Sequence, residues 1–170
     1  YYLFDLREDQ VSSLFRTRPW IEPAQMARMM GVTFEARDGM TIHGYFTRPM
    51  LPAKPPYPLV VLPHGGPFYR DVWGFDSEAQ FLANRGYAVL QINYRGSTGY
   101  GADYKDAAKG QFGKKIQDDI TDAARGATAM NIADPSRVAI FGTSFGGYAA
   151  LCGLTSEPDL YKCGIAMAGV

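Results

Sequence analysis

The sequence predicts an α/β fold, a mostly parallel sheet with helices on both faces, and three observations carry that expectation. Leu59-Val60-Val61-Leu62 is a continuous apolar run, the pattern of a strand covered on both sides. From that run onward strand-like and helix-like segments alternate, which requires βαβ crossovers. The segment 115–130 places Ile116, Ile120, Ala123, Ala127 and Met130 on one face of a helix, at steps of four, three, four and three residues.

Each element follows from local pattern. Residues 1–6 and 11–15 read as two strands joined by the polar turn 7–10. Residues 16–30 are broken by Pro19 and Pro23, with Pro23 placed to open a short helix carrying Met26, Met29 and Met30. A second rhythm starts at Val32, where strands 32–36 and 41–46 flank the turn signal Asp38-Gly39. The proline-rich stretch 49–58 is expected as a stiff loop before the first buried strand. Helices near 76–85, 115–130 and from Phe145 then alternate with strands at 87–93, 137–141 and 163–168. Lys114 with Asp118, and Lys115 with Asp119, form i, i+4 pairs expected on the solvated side of the second helix.

Composition excludes several classes of function. Seventeen basic and seventeen acidic side chains give a net charge of zero, so no basic surplus draws the chain to nucleic acid or anionic lipid. No apolar run approaches the roughly 18 residues of a membrane span. The N-terminus has neither an initiator Met nor a signal-peptide pattern, so the true start of the protein is expected to lie upstream. Cys152, Cys163, His43 and His64 have no metal-site spacing, and no phosphate-binding loop is present. Neither metal nor cofactor is expected, and the cysteines read as free thiols.

The chemistry concentrates in two motifs. Gly142-Thr143-Ser144-Phe145-Gly146-Gly147 fits G-x-S-x-G, with an apolar strand before it and a helical pattern of Tyr148, Leu151 and Leu154 after it. A serine attacks only if it projects from a tight strand-to-helix turn, and bulky side chains two residues away on either side would collide there. Ser144 is therefore the candidate nucleophile. His64-Gly65-Gly66-Pro67 ends the first buried strand, where an α/β-hydrolase places the loop that completes its oxyanion hole. The expected donors are the backbone N–H groups of Phe145 and Gly66. In such folds the catalytic order is Ser, acid, His, so His64, which precedes Ser144 in the chain, is expected to shape the loop instead of serving as base.

These motifs resemble the prolyl oligopeptidase family of serine peptidases, nearest to its acylaminoacyl-peptidase-like branch. The matching segments are Ala36-Arg37-Asp38-Gly39, Leu62-Pro63-His64-Gly65-Gly66-Pro67, Asn93-Tyr94-Arg95-Gly96-Ser97-Thr98-Gly99-Tyr100-Gly101 and Gly142-Thr143-Ser144-Phe145-Gly146-Gly147-Tyr148. The resemblance implies an α/β-hydrolase fold truncated at its C-terminal end, with strand order 1-2-4-3-5-6 counted from Val32. It implies that residues 1–18 are the remnant of a β-propeller blade, 19–31 a connector, and 32–170 the N-terminal part of the peptidase domain. Arg95 is expected in a structural ion pair. The family's acid and His follow the nucleophile, whereas this chain has no His after Ser144, and Asp159, its one later Asp, precedes the strand 163–168.

The implied function is a serine-type peptidase acting on short peptides through an acyl-enzyme on Ser144, with these 170 residues inactive alone. A carboxylesterase and a non-catalytic peptide-binding module are the alternatives. The expected partner is a peptide, with no nucleic acid and no membrane, and the open sheet edge could pair with a second copy.

Overall fold

The computed structural model describes residues 1–50 and 54–170; the part of the expected loop 49–58 that falls on 51–53 lies outside the described residues. Strands β1 (Tyr2–Asp5) and β2 (Gln10–Ser13) form a separate antiparallel hairpin. A six-stranded sheet contains β3 (Met29–Glu35), β4 (Thr41–Thr47), β5 (Tyr57–Pro63), β6 (Ala88–Asn93), β7 (Ala133–Thr143) and β8 (Cys163–Met167). Its order is β3-β4-β6-β5-β7-β8, which is 1-2-4-3-5-6 in order of appearance. The β3–β4 and β4–β6 pairs are antiparallel, and the β6–β5, β5–β7 and β7–β8 pairs are parallel.

Helices cover both faces. Along a strand, alternate side chains point to opposite sides of the sheet. Leu62 and Val89 pack with Ala79 and Leu82 of α1 (Ser77–Asn84) on one side. Leu59, Val61, Leu90 and Ile92 join the larger core, where α3 (Lys115–Ala129) and α4 (Phe145–Ser156) contribute Ile116, Ile120, Ala149 and Ala150. Asp76 caps α1, its Oδ1 accepting from the Ala79 amide at 2.7 Å. No helix among the described residues is long and apolar enough to cross a membrane.

Four local expectations need correction. The helix at Pro23 is a single 3-10 turn, Pro23–Gln25, and Met29 and Met30 already belong to β3. Pairing of Met29 with Thr47 and Met30 with Phe46 extends the hairpin past Val32, so sheet register overrides the local pattern. Strands β5 and β7 begin earlier than expected, at Tyr57 and Ala133, which pair with each other before a register shift. A short helix, α2 (Ala102–Asp106), lies between β6 and α3 where none was expected. Finally, Asp119 is fully buried, not solvated, and Lys115 pairs with Asp38 at 3.0 Å.

Candidate active site

Ser144 occupies the turn between β7 and α4 with φ 58° and ψ −121°, a conformation that a residue with a Cβ rarely adopts. Sterics around it explain the two flanking glycines. A Cβ at Gly142 would run into the Gly146 carbonyl, and one at Gly146 into the carbonyl of Pro63 at the end of β5. The turn is pinned on both sides: the Ser144 amide donates to the Met167 carbonyl of β8 at 2.9 Å, and the Ser144 carbonyl accepts from the Tyr148 amide at 3.0 Å. Ser144 is half-buried, whereas Phe145 is buried. The Phe145 amide opens α4, so it has no acceptor within the helix and points out of its N-terminus.

The loop after β5 abuts this turn. The Cβ direction of Gly65 points to within 3.6 Å of the Ser144 Cβ and 3.3 Å of the Thr143 carbonyl. Gly66 has φ 119°, and a side chain there would press on Tyr69. Among the described residues neither the Phe145 nor the Gly66 amide has a hydrogen-bond acceptor.

His64 holds that loop from beneath. Its Nδ1 lies 2.7 Å from the Gly65 carbonyl, which can only accept, so we assign the ring proton to Nδ1. Nε2 lies 2.8 Å from the Ser97 Oγ, whose hydroxyl donates to the Tyr94 carbonyl at 2.7 Å. The Tyr94 hydroxyl donates to the His64 carbonyl at 2.8 Å, and the two rings stack 4.3 Å apart. Burial pulls the His64 pKa down to about 4, so the ring is neutral at physiological pH. With both nitrogens engaged, His64 is a positioning residue for the loop. His43 stacks on Tyr100 at 4.6 Å.

Arg95, next to Tyr94, ties this region to the rest of the domain. Its guanidinium contacts Asp119 of α3 at 2.7 and 2.8 Å and Asp38 of the β3–β4 turn at 2.9 and 3.0 Å. Its hydrogen bonds to Asp119 and Asp38 hold the Arg95 pKa above its ordinary value, and those donated by Arg95 and Lys115 hold the Asp38 carboxyl well below the usual range. Arg37 reaches Asp118 at 2.9 Å and Asp122 at 2.8 Å nearer the surface. The acidic face of α3 is therefore a docking strip for two arginines.

Sequence reasoning missed Asp71, which lies between the His64-Gly65-Gly66-Pro67 loop and α1. Its amide donates to Asn93 Oδ1 at 2.8 Å, and its carboxyl is pushed up to about 7, by burial first and then by Asp76. The segment around it has no periodicity or motif. Only its closeness to His64-Gly65-Gly66-Pro67 could have drawn notice.

Comparison with known proteins agrees with this architecture. The family model described as the prolyl oligopeptidase family matches residues 73–170, more than half of the chain. The chain is 41% identical to dipeptidyl aminopeptidase BIII of Pseudoxanthomonas mexicana over 99% of its own length and 26% of that protein's. It is 35% identical to the acylamino-acid-releasing enzyme of Homo sapiens over 68% of its length and 16% of that enzyme's. A crystal structure of puromycin hydrolase superposes with a TM-score of 0.89 at 32% identity, covering 98% of this chain and 26% of that one. The chain thus spans about a quarter of the length of its dipeptidyl aminopeptidase and puromycin hydrolase relatives. The sheet order, the strained serine turn and these matches together establish that the chain belongs to the prolyl oligopeptidase family and carries its α/β-hydrolase fold.

Proposed function

We propose that the protein is a serine peptidase in which Ser144 is the nucleophile and the amides of Phe145 and Gly66 form the oxyanion hole. The observation that carries this reading is the positive φ of Ser144 between two glycines that admit no side chain. The Ser144 hydroxyl attacks a peptide carbonyl, its proton passes to a base, and the carbonyl oxygen takes up negative charge beside the two amides. Collapse releases the amine and leaves an acyl-enzyme, which water hydrolyses.

His43 and His64 are both occupied elsewhere, so the base and its acid partner are supplied from outside these 170 residues. On this reading the chain alone is inactive, since removing the histidine of a serine-protease triad costs on the order of 10⁶ in kcat. We assign residues 1–18 to a propeller remnant, and end the connector at Arg28 because β3 begins at Met29. Among the described residues the outer edge of β8 pairs with no strand, and with Ile165 and Met167 exposed it would pair with a further strand or a second copy.

A fluorophosphonate tests the assignment: the intact protein should be labelled, and Ser144→Ala should not. Absence of labelling would favour a non-catalytic peptide-binding module. Hydrolysis of a p-nitrophenyl ester without any peptide anilide turnover would favour a carboxylesterase.

A further inference from the structure

The loop that carries Gly66 is tied down at both feet and in between by the end of β6 and the segment just after it. At its start the Tyr94 hydroxyl holds the His64 carbonyl at 2.8 Å. In its middle the Thr98 amide donates to the Tyr69 carbonyl at 2.9 Å, and Tyr69 is the residue against which a side chain at Gly66 would press. At its far foot a side chain takes over. Asn93, the last residue of β6 and wholly buried, accepts from the Asp71 amide through Oδ1 at 2.8 Å and donates through Nδ2 to the Asp71 carbonyl at 3.1 Å.

Asn93 acts there as a piece of strand. A carboxamide carries an acceptor and a donor side by side, so it meets both backbone groups of one residue as a neighbouring strand would. Its partners fix which end is which, because an N–H is met only by the oxygen and a C=O only by the nitrogen. Asn93 is itself held: Nδ2 also donates to the Tyr100 hydroxyl at 2.8 Å, the Tyr100 ring stacks on His43, and the Asn93 carbonyl accepts from the Tyr104 hydroxyl at 2.6 Å. Residues 65–70 span the two feet, so a shift at Asp71 passes to Gly66. We propose that Asn93 is a positioning residue, which by clamping Asp71 sets the direction of the Gly66 amide beside Ser144. That this amide stabilises an oxyanion rests on the peptidase reading above; that Asn93 orders the loop does not.

A second clamp of the same kind supplies the control. Gln80 of α1 accepts from the Ala27 amide at 2.8 Å and donates to the Ala27 carbonyl at 3.0 Å. Ala27 precedes β3 and lies outside the loop, so Gln80→Leu removes an equivalent pair of hydrogen bonds without touching residues 64–71.

The test uses the intact protein. Asn93→Leu keeps nearly the size of the side chain and removes both hydrogen bonds to Asp71. Turnover of p-nitrophenyl acetate is measured per site titrated to completion with a fluorophosphonate, which discounts unfolded molecules, and a crystal structure of each variant locates the Gly66 amide. Misplacing a group in an active site by about 1 Å costs on the order of 10² in rate. In Asn93→Leu the amide should move by about 1 Å or more from its place beside Ser144, kcat per labelled site should fall roughly 10–100-fold, and KM should stay within about threefold. In Gln80→Leu neither the amide nor kcat per labelled site should change, although Tm falls. Should Asn93→Leu fail to fold, Asn93→Ser, too short to span both Asp71 groups, should give the same changes. A Gly66 amide left in place, a displaced amide with kcat per labelled site unchanged, or an equal loss of kcat in Gln80→Leu overturns the proposal. A wild type that takes no fluorophosphonate, with the amide still displaced in Asn93→Leu, would defeat the peptidase reading and leave the clamp standing.

Discussion

Arg95 and Asp119 form a buried ion pair, with side chains 4% and 0% exposed and a closest approach of 2.7 Å. The Arg95 amide also donates to Asp119 Oδ2 at 2.9 Å, so one carboxylate fixes both the side chain and the backbone of the residue that follows Tyr94. Because the Tyr94 hydroxyl holds the His64 carbonyl, the pair sets the height of the loop that faces Ser144.

Removing one partner of a buried pair costs about 3–5 kcal/mol, whereas an exposed pair contributes under about 1 kcal/mol; without Asp119 the guanidinium keeps Asp38, and the buried Arg95 amide and Nε lose their acceptor. Asp119→Ala should therefore lower the unfolding free energy of the protein by about 3–5 kcal/mol in urea titration. Asp118→Ala, at the exposed Arg37 pair, should change it by less than about 1 kcal/mol. Equal effects of the two substitutions would show that Asp38 and water satisfy Arg95 without Asp119.

Gly146 offers a second measurement. A methyl group there meets backbone carbonyl oxygen, which cannot swing aside as a side chain can. Gly146→Ala should displace the turn from β5, cost about 2 kcal/mol or more, and slow fluorophosphonate labelling of Ser144 at least tenfold. Gly31, whose Cβ direction is open, is the control, and Gly31→Ala should leave the labelling rate unchanged.

The fold was legible because its signals are local. The apolar run at 59–62, the helical face of α3 and the glycines around Ser144 each state their structure within a few residues. Met29 and Met30 were misread because their strand character comes from pairing with β4, a contact invisible along the chain. Asp119 was misread for a similar reason: its i, i+4 partner Lys115 suggested a wet face, but Arg95, 24 residues earlier, draws the carboxylate into the core. Asp71 was missed because it belongs to no pattern, and only folding sets it beside Gln91.

Two groups lining one pocket should make stability respond to pH in opposite senses. Burial lowers His64 from 6.5 to about 4, so within that window the unfolded chain binds a proton that the folded chain lacks. Its contribution is complete above the upper value and lost as pH falls through the window. Burial raises Asp71 from 3.8 to about 7, so there the folded chain holds a proton that the unfolded chain has released. Its contribution is present at low pH and lost as pH rises through the window. Asp71→Asn removes only the second response. On going from about pH 5 to about pH 8 the variant should gain roughly 2 kcal/mol relative to wild type, read as the difference in Tm at each pH. A constant difference at both pH values would place the Asp71 carboxyl in water.

The backbone of Ser144 permits a test of strain separate from chemistry. A residue with a Cβ at φ 58°, ψ −121° costs on the order of 1–3 kcal/mol, and glycine removes that cost. Elsewhere glycine is the less stable choice than alanine by roughly 0.5–1 kcal/mol, because its unfolded chain is freer. Ser144→Ala and Ser144→Gly both delete the hydroxyl, so both should abolish labelling, and their difference isolates the backbone. Ser144→Gly should be the more stable of the two by about 1 kcal/mol in urea titration, reversing the usual order. If Ser144→Ala is the more stable, the turn carries no strain, and the serine is exposed by packing against Gly65 and Met167 alone. The reversed order would mean that the protein keeps a destabilising serine at this position, and the half-exposed hydroxyl that both variants lack is what it keeps by doing so.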